Sequence, residues 1–221
     1  MLPWIVIGQT LAPDGTKLVL ARRGDEWEIS ADGYTLMSSR MHGSEEELAQ
    51  LALDRAPRAR SVLIGGLGLG YSLRAALDRL PASARVVVAE FSPAVVEWNR
   101  THLAGLAGRP LDDPRVRVEI GDVGDAIRKA TGAWDVILLD VDNGPTAIAQ
   151  SSNAGLYDAG GIRSCLRALR KAGVLAVWST APDERYLRRL KQGGFNATAH
   201  PVRARSGGGG RKHVVFVAVA T

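Results

Sequence analysis

The run Ser61-Val62-Leu63-Ile64 leads straight into Gly65-Gly66-Leu67-Gly68-Leu69-Gly70, after which Leu73, Ala76, Leu77 and Leu80 recur with helical spacing. A buried strand, a glycine turn and an amphipathic helix in that order commit the chain to an α/β architecture. Gly66, Gly68 and Gly70 lack a Cβ, so the backbone can turn tightly and a ligand can approach it closely. The free N–H groups of the following helix then face that ligand. Such a segment makes a nucleotide or nucleoside pocket. No Gly-Lys-Ser/Thr follows the turn, which excludes a phosphate-binding P-loop. The strict alternation of glycines also fits the dinucleotide fingerprint G-x-G-x-x-G poorly.

Later strand ends carry the chemistry. Arg85-Val86-Val87-Val88-Ala89-Glu90 closes on a carboxylate, which in a doubly wound sheet lies beside the first glycine turn, where a ribose would sit. A carboxylate there can accept hydrogen bonds from both vicinal hydroxyls. Val116–Ile120 runs into Gly121-Asp122-Val123, a polar step placed to face an adenine edge. Asp135–Leu139 runs into Asp140-Val141-Asp142-Asn143-Gly144-Pro145. The expected nucleoside-binding residues are therefore Gly66, Gly68, Gly70, Glu90, Asp122 and Val123. Asp140 is the candidate for orienting or deprotonating an acceptor, and Asp142 and Asn143 are candidates for holding it. His42 reads as a cap or surface residue rather than a base, and no metal site is expected.

These residues resemble the spermidine synthase family within the class I AdoMet-dependent transferases. The family's G-G-G-D-G-G-x-L-R loop is similar to Gly66 through Arg74, and its D-P-R-V to Asp113-Pro114-Arg115-Val116. Its strand-ending Asp, which opens an Asp-rich loop closed by Gly-Pro, is similar to Asp140 through Pro145. Leu156-Tyr157 and Ala172-Gly173-Val174-Leu175 follow in the family's order. The resemblance spans roughly residues 27 to 182. It implies a Rossmann-like class I methyltransferase fold: a seven-stranded, mostly parallel sheet with an antiparallel last strand, plus a short amino-terminal β-hairpin region. It also implies S-adenosylmethionine or its decarboxylated form as co-substrate, no metal, and transfer of an aminopropyl group to a small amine. Leu69 stands where the family's loop carries Asp, and Asn143 where its second Asp would be. Asp32-Gly33-Tyr34-Thr35-Leu36-Met37 lacks the family's Gln, and Met41 through Glu47 replaces its Asp-Glu-x-x-Tyr-His-Glu gate. Those positions hold the polyamine and aminopropyl chain in family members. An AdoMet-dependent methyltransferase acting on a small molecule or RNA, and a catalytically silent nucleoside-binding scaffold, therefore stay open.

Composition narrows the setting. A chain of 221 residues with 46% apolar content buries a substantial core. No apolar run is long enough to span a membrane and Met1–Gly8 lacks the features of a secretory signal, so no membrane association is expected. The single cysteine, Cys165, excludes an intramolecular disulfide, fits a reducing, cytoplasmic compartment and reads as core packing. The net charge of +5 gathers at Arg55, Arg58 and Arg60, at Arg185 through Lys191, and at Arg203 through Lys212. No aromatic residues interleave these clusters, so solvated faces are expected rather than a nucleic-acid surface. The expected partners are a small-molecule acceptor and a second copy of the chain in a homodimer.

Short strands are expected at 4–10, 17–22, 27–30 and 34–37 in an amino-terminal β region, residues 1–43. Residues 44–221 form the nucleoside-binding α/β domain. Ser44 and Glu47 read as a capping box opening a helix over Glu45–Arg55. Six strand–helix alternations follow from Ser61 to Arg203, with helices over Pro93–Leu103 and Ile162–Lys171 and a final antiparallel strand at Val214–Val219. Gly207–Gly210 reads as a hairpin connection or a substrate lid.

Overall fold

The computed structural model describes residues 2–141, 145, 154–205 and 210–221. Asp142, Asn143 and most of the glycine run 207–210 lie outside these residues. The amino-terminal region is a four-stranded antiparallel sheet in the order β1 (Ile5–Leu11), β2 (Lys17–Arg23), β3 (Glu26–Ala31), β4 (Tyr34–Ser38). It is more than a hairpin, because Leu18, Leu20 and Ile29 on one of its faces join the hydrophobic core of the main sheet.

The main sheet has β5 (Ser61–Gly65) near its centre. From β5 the chain winds outward through β6 (Arg85–Glu90) to β7 (Val116–Ile120). It then returns to the other side of β5 with β8 (Trp134–Leu139) and β9 (Leu169–Ser179). β11 (Lys212–Ala220) inserts antiparallel between β9 and β10 (Phe195–Arg203), so the spatial order is β10-β11-β9-β8-β5-β6-β7. This is the expected seven-stranded arrangement. The strand order reverses between β5 and β8, the place where open α/β sheets bind ligands outside the carboxyl ends of their strands.

Alternation along the strands divides the core. Val62, Ile64, Val86, Val88, Val136 and Leu138 face α1 (Gly43–Arg55), α2 (Tyr71–Arg79) and the small sheet. Leu63, Val87, Ile137, Leu139 and Val177 face α4 (Val123–Lys129), α6 (Ala159–Ala168) and α7 (Glu184–Gln192). Both faces are buried, so these strands read as unbroken apolar runs. Between β6 and β7 lies α3 (Pro93–Arg100), which ends before Leu103; α5 (Ala154–Tyr157) is a single turn before α6. Cys165 is fully buried in the second layer. No helix among the described residues is long and apolar enough to cross a membrane.

Two local expectations are corrected. The capping box does not form: helix α1 starts at Gly43 with His42 as an N-cap whose side chain makes no cap bond. The Ser44 hydroxyl instead accepts from Trp178 Nε1 at 3.0 Å and meets His213 Nδ1 at 2.9 Å. Indole only donates, so Ser44 spends its own proton on the imidazole. The helix expected to reach Lys171 ends at Ala168, and Leu169 already pairs with Trp134 at the start of β9. Ladder bonds to β8 outweigh the helix propensity of Leu-Arg-Lys-Ala there.

Candidate active site

A cavity of about 360 Å³ lies at the carboxyl ends of β5, β6, β7 and β8. Gly66, Gly68, Glu90, Asp122, Val123 and Asp140 line its floor. The small sheet roofs it through Leu18, Ile29 and Ala31, through Leu36 and Met37 of β4, and through Asp14 and Thr16 of the β1–β2 turn. No periodicity could reveal that roof, because it depends on how two sheets pack.

The glycine loop is knitted to its neighbours by backbone bonds. Gly66 N–H donates to Ala89 at 2.9 Å and Asp140 N–H donates to Gly65 at 2.9 Å. Gly66 has φ of +86°, and a Cβ built on it would run into the Asp140 carbonyl oxygen. Gly70 lies apart from the cavity: it is the N-cap of α2, and its Cα faces Pro110, Asn99 and Ala107. It starts the helix. Leu69, where the resembling family has Asp, is buried in the core.

Glu90 is buried at 8% exposure and each carboxylate oxygen accepts a backbone N–H, from Leu67 and from Ser92, both at 2.8 Å. Burial raises its pKa, and those backbone donors partly oppose the rise. Glu90 therefore braces the glycine loop as well as offering its remaining lone pairs to a ligand. Glu90→Gln would set an amide N–H₂ against one of the two donors. Nucleoside affinity is expected to fall by about 1–3 kcal/mol, read by calorimetry; unchanged affinity would remove Glu90 from the site. Asp122 caps α4, accepting from Gly124 N–H at 2.6 Å, while it lines the cavity.

Asp140 sits at the end of β8, half-buried on the cavity wall, and accepts a hydrogen bond from the Ser72 hydroxyl. Burial pushes its pKa up to about 6, against the pull of Ser72. Glu45 of α1 is the residue that sequence reasoning missed. Burial raises its pKa well above the usual carboxylate range, and the nearby Asp140 and Glu46 charges raise it further. Tyr71, pushed up to about 12 by burial and then by Glu45 and Glu46, stacks on His42 with ring centroids 3.9 Å apart. His42 Nδ1 meets Glu46 Oε1 at 2.8 Å, so one imidazole nitrogen is already engaged. The first turns of α1 and α2 thus stand together beside Asp140. Its electrostatics suit a cationic acceptor. Among the described residues, no group of three or more His, Cys, Asp or Glu side chains could hold a metal ion.

The D-P-R-V motif has a different task. Arg115 donates to both Asp113 oxygens and to the carbonyls of Leu77 and Leu80, holding the end of α2 against the start of β7. This pair holds the Asp113 carboxyl down at about 2.

Comparison with known proteins gives a consistent outcome. A model of the spermine/spermidine synthase domain matches residues 41–186. A polyamine aminopropyltransferase of Mycobacterium tuberculosis is 29% identical over 196 residues, covering 84% of this chain and 36% of that protein. The chain therefore spans about a third of that relative's length. The crystal structure of spermidine synthase from Thermotoga maritima superposes with a TM-score of 0.78 at 22% identity, covering 98% of this chain and 73% of the other. A spermidine synthase in complex with the transition state analogue AdoDATO gives 0.77 at 22% identity, covering 98% and 72%.

Proposed function

The chain belongs to the spermine/spermidine synthase domain family, and on that premise we propose that it transfers an aminopropyl group from decarboxylated S-adenosylmethionine to a small amine. One observation carries the choice of donor. The described lining of the cavity holds four carboxylates, Asp14, Glu90, Asp122 and Asp140, and no Lys, Arg or His. Decarboxylated S-adenosylmethionine presents a sulfonium and an ammonium and no carboxylate. Intact S-adenosylmethionine adds an α-carboxylate, which this acidic lining would repel.

The chemistry asks little beyond placement. The amine lone pair attacks the aminopropyl carbon next to sulfur, the C–N bond forms as the C–S bond breaks, and 5′-methylthioadenosine leaves as a neutral thioether. The sulfonium is already activated, so the protein contributes alignment and proton removal. Asp140 is the group for that proton: it faces the cavity, is fixed by Ser72, and has a pKa near the operating range. Glu45 and Glu46, on the first turn of α1, add negative potential where a protonated amine would approach. The same helix turn replaces the family's gate sequence and is clamped by Ser44 to Trp178 and His213.

Calorimetry with both donors tests the reading. The decarboxylated donor is expected to bind at least about tenfold more tightly than S-adenosylmethionine, a difference of about 1.4 kcal/mol or more. Turnover with diamines should yield methylthioadenosine. Tighter binding of S-adenosylmethionine with methyl transfer would establish the methyltransferase alternative instead. Binding without turnover across a screen of amines would favour the silent scaffold.

A further inference from the structure

We infer that Tyr157 is a positioning residue for the transfer: its hydroxyl holds the backbone just beyond Asp140 and so aims that carboxylate at the acceptor. The inference rests on the proton-acceptor role proposed above for Asp140. β8 loses its neighbours as it reaches the cavity, since its ladders with β5 and β9 both end at Leu139. Asp140 is the first residue past them. Its N–H still reaches the Gly65 carbonyl at 2.9 Å, and its side chain is engaged by Ser72. Those bonds hold the residue from the side of β5 and α2. A reacting group at a strand end also needs a hold on the residue that follows, because a displacement of about 1 Å costs about 10²-fold in rate.

Tyr157 supplies that hold. Its hydroxyl donates to the Val141 carbonyl oxygen at 3.2 Å, across 16 residues of sequence. Val141 itself lines the cavity, as Asp140 does. The tyrosine is fully buried in the second layer of the core, and its ring meets Tyr186 edge-on with centroids 5.9 Å apart. Tyr186 in turn meets Phe216 of β11 edge-on at 5.1 Å. Asp158, the next residue, caps α6 by accepting from Gly161 N–H at 2.8 Å, which fixes the chain just past the ring. The hydroxyl therefore stands on a rigid mount. Phenylalanine would fill the same space, and a hydroxyl this deep costs free energy unless it is paired. Tyr186 provides the control: it is as deeply buried, but its hydroxyl has no hydrogen-bond partner among the described residues.

The test compares Tyr157→Phe, Tyr186→Phe, Asp140→Asn and the Tyr157→Phe/Asp140→Asn double variant, with decarboxylated S-adenosylmethionine and a diamine as substrates. Tyr157→Phe is expected to lower kcat about tenfold, while methylthioadenosine binds within about twofold of wild type by calorimetry. Tyr186→Phe removes the same atom from the neighbouring ring and should leave kcat within about twofold. In the Asp140→Asn background, Tyr157→Phe should cost less than about twofold, because its effect passes through the missing carboxylate. Wild-type kcat in Tyr157→Phe would overturn the assignment. So would a tenfold loss that persists in the Asp140→Asn background, or an equal loss in Tyr186→Phe, since either would make Tyr157 a packing residue. Methylthioadenosine affinity falling in step with kcat would likewise show a general disturbance of the pocket. Absence of transfer by the wild type to any amine screened would sink the aminopropyl reading and this role with it, whereas a failure confined to the variant comparison leaves the aminopropyl reading standing.

Discussion

Replacing Asp140 with Asn is expected to lower kcat by about 10²–10⁴-fold while leaving donor affinity within about threefold. Asn keeps the volume and can still accept from Ser72, so the wall survives and only the proton acceptor is lost. The pH profile should carry the same signature. Burial raises the Asp140 pKa to about 6, so kcat/KM of the wild type should fall on the acid side of about pH 6 as the base protonates. Stability should run the other way. A carboxyl whose pKa is higher folded than unfolded destabilises the fold while ionised, and that cost is relieved as pH falls from about 6 towards the unfolded value of 3.8. Asp140→Asn removes the buried charge. Urea unfolding at pH 8 should show the variant more stable by about 1–3 kcal/mol, allowing for screening through the open cavity. Little difference is expected at pH 4. A variant with wild-type turnover would reduce Asp140 to a loop cap, and one less stable at pH 8 would show that its charge is well solvated.

The floor of the site was legible and its walls were not, for a physical reason. Gly66, Gly68, Glu90, Asp122 and Asp140 each follow a strand, and counting apolar runs is enough to bring strand ends together at one edge of a parallel sheet. Glu45 and Ser72 lie in the first turns of helices, where charged and hydroxyl residues are ordinary. Only tertiary contacts give them meaning: Ser72 through Asp140, and Glu45 through the same carboxylate. The failed capping box has the same cause. Ser44 is claimed by Trp178 and His213, 134 and 169 residues away in sequence. D-P-R-V makes the opposite point: a specific family signature turned out to hold an α2–β7 corner rather than to touch the cavity.

Gly66→Ala should damage both fold and turnover, and Gly68→Ala should not. At Gly66 the backbone has φ of +86°, and the added methyl meets the Asp140 carbonyl oxygen, a backbone atom with Val141 just behind it. Asp140 is already tied to Gly65 through its own N–H, so the methyl must force the ends of β5 and β8 apart. Overpacking of that kind costs about 1–3 kcal/mol, and a left-handed alanine about 1–2 more. The displaced strand end carries Asp140, the carboxylate proposed to take the proton. A shift of about 1 Å there is enough to cost about 10²-fold in kcat. Gly68 has φ of +53°, but its nearest neighbour is the Met37 sulfur at 3.3 Å, the flexible side of the cavity roof. Its methyl would point into the space kept for the donor. Gly68→Ala should therefore lose mainly donor affinity, with only the left-handed strain showing in Tm. Thermal unfolding together with calorimetry separates the two patterns. Wild-type turnover in Gly66→Ala would mean that the strand ends yield freely, and the loop could not then be what holds Asp140 in place.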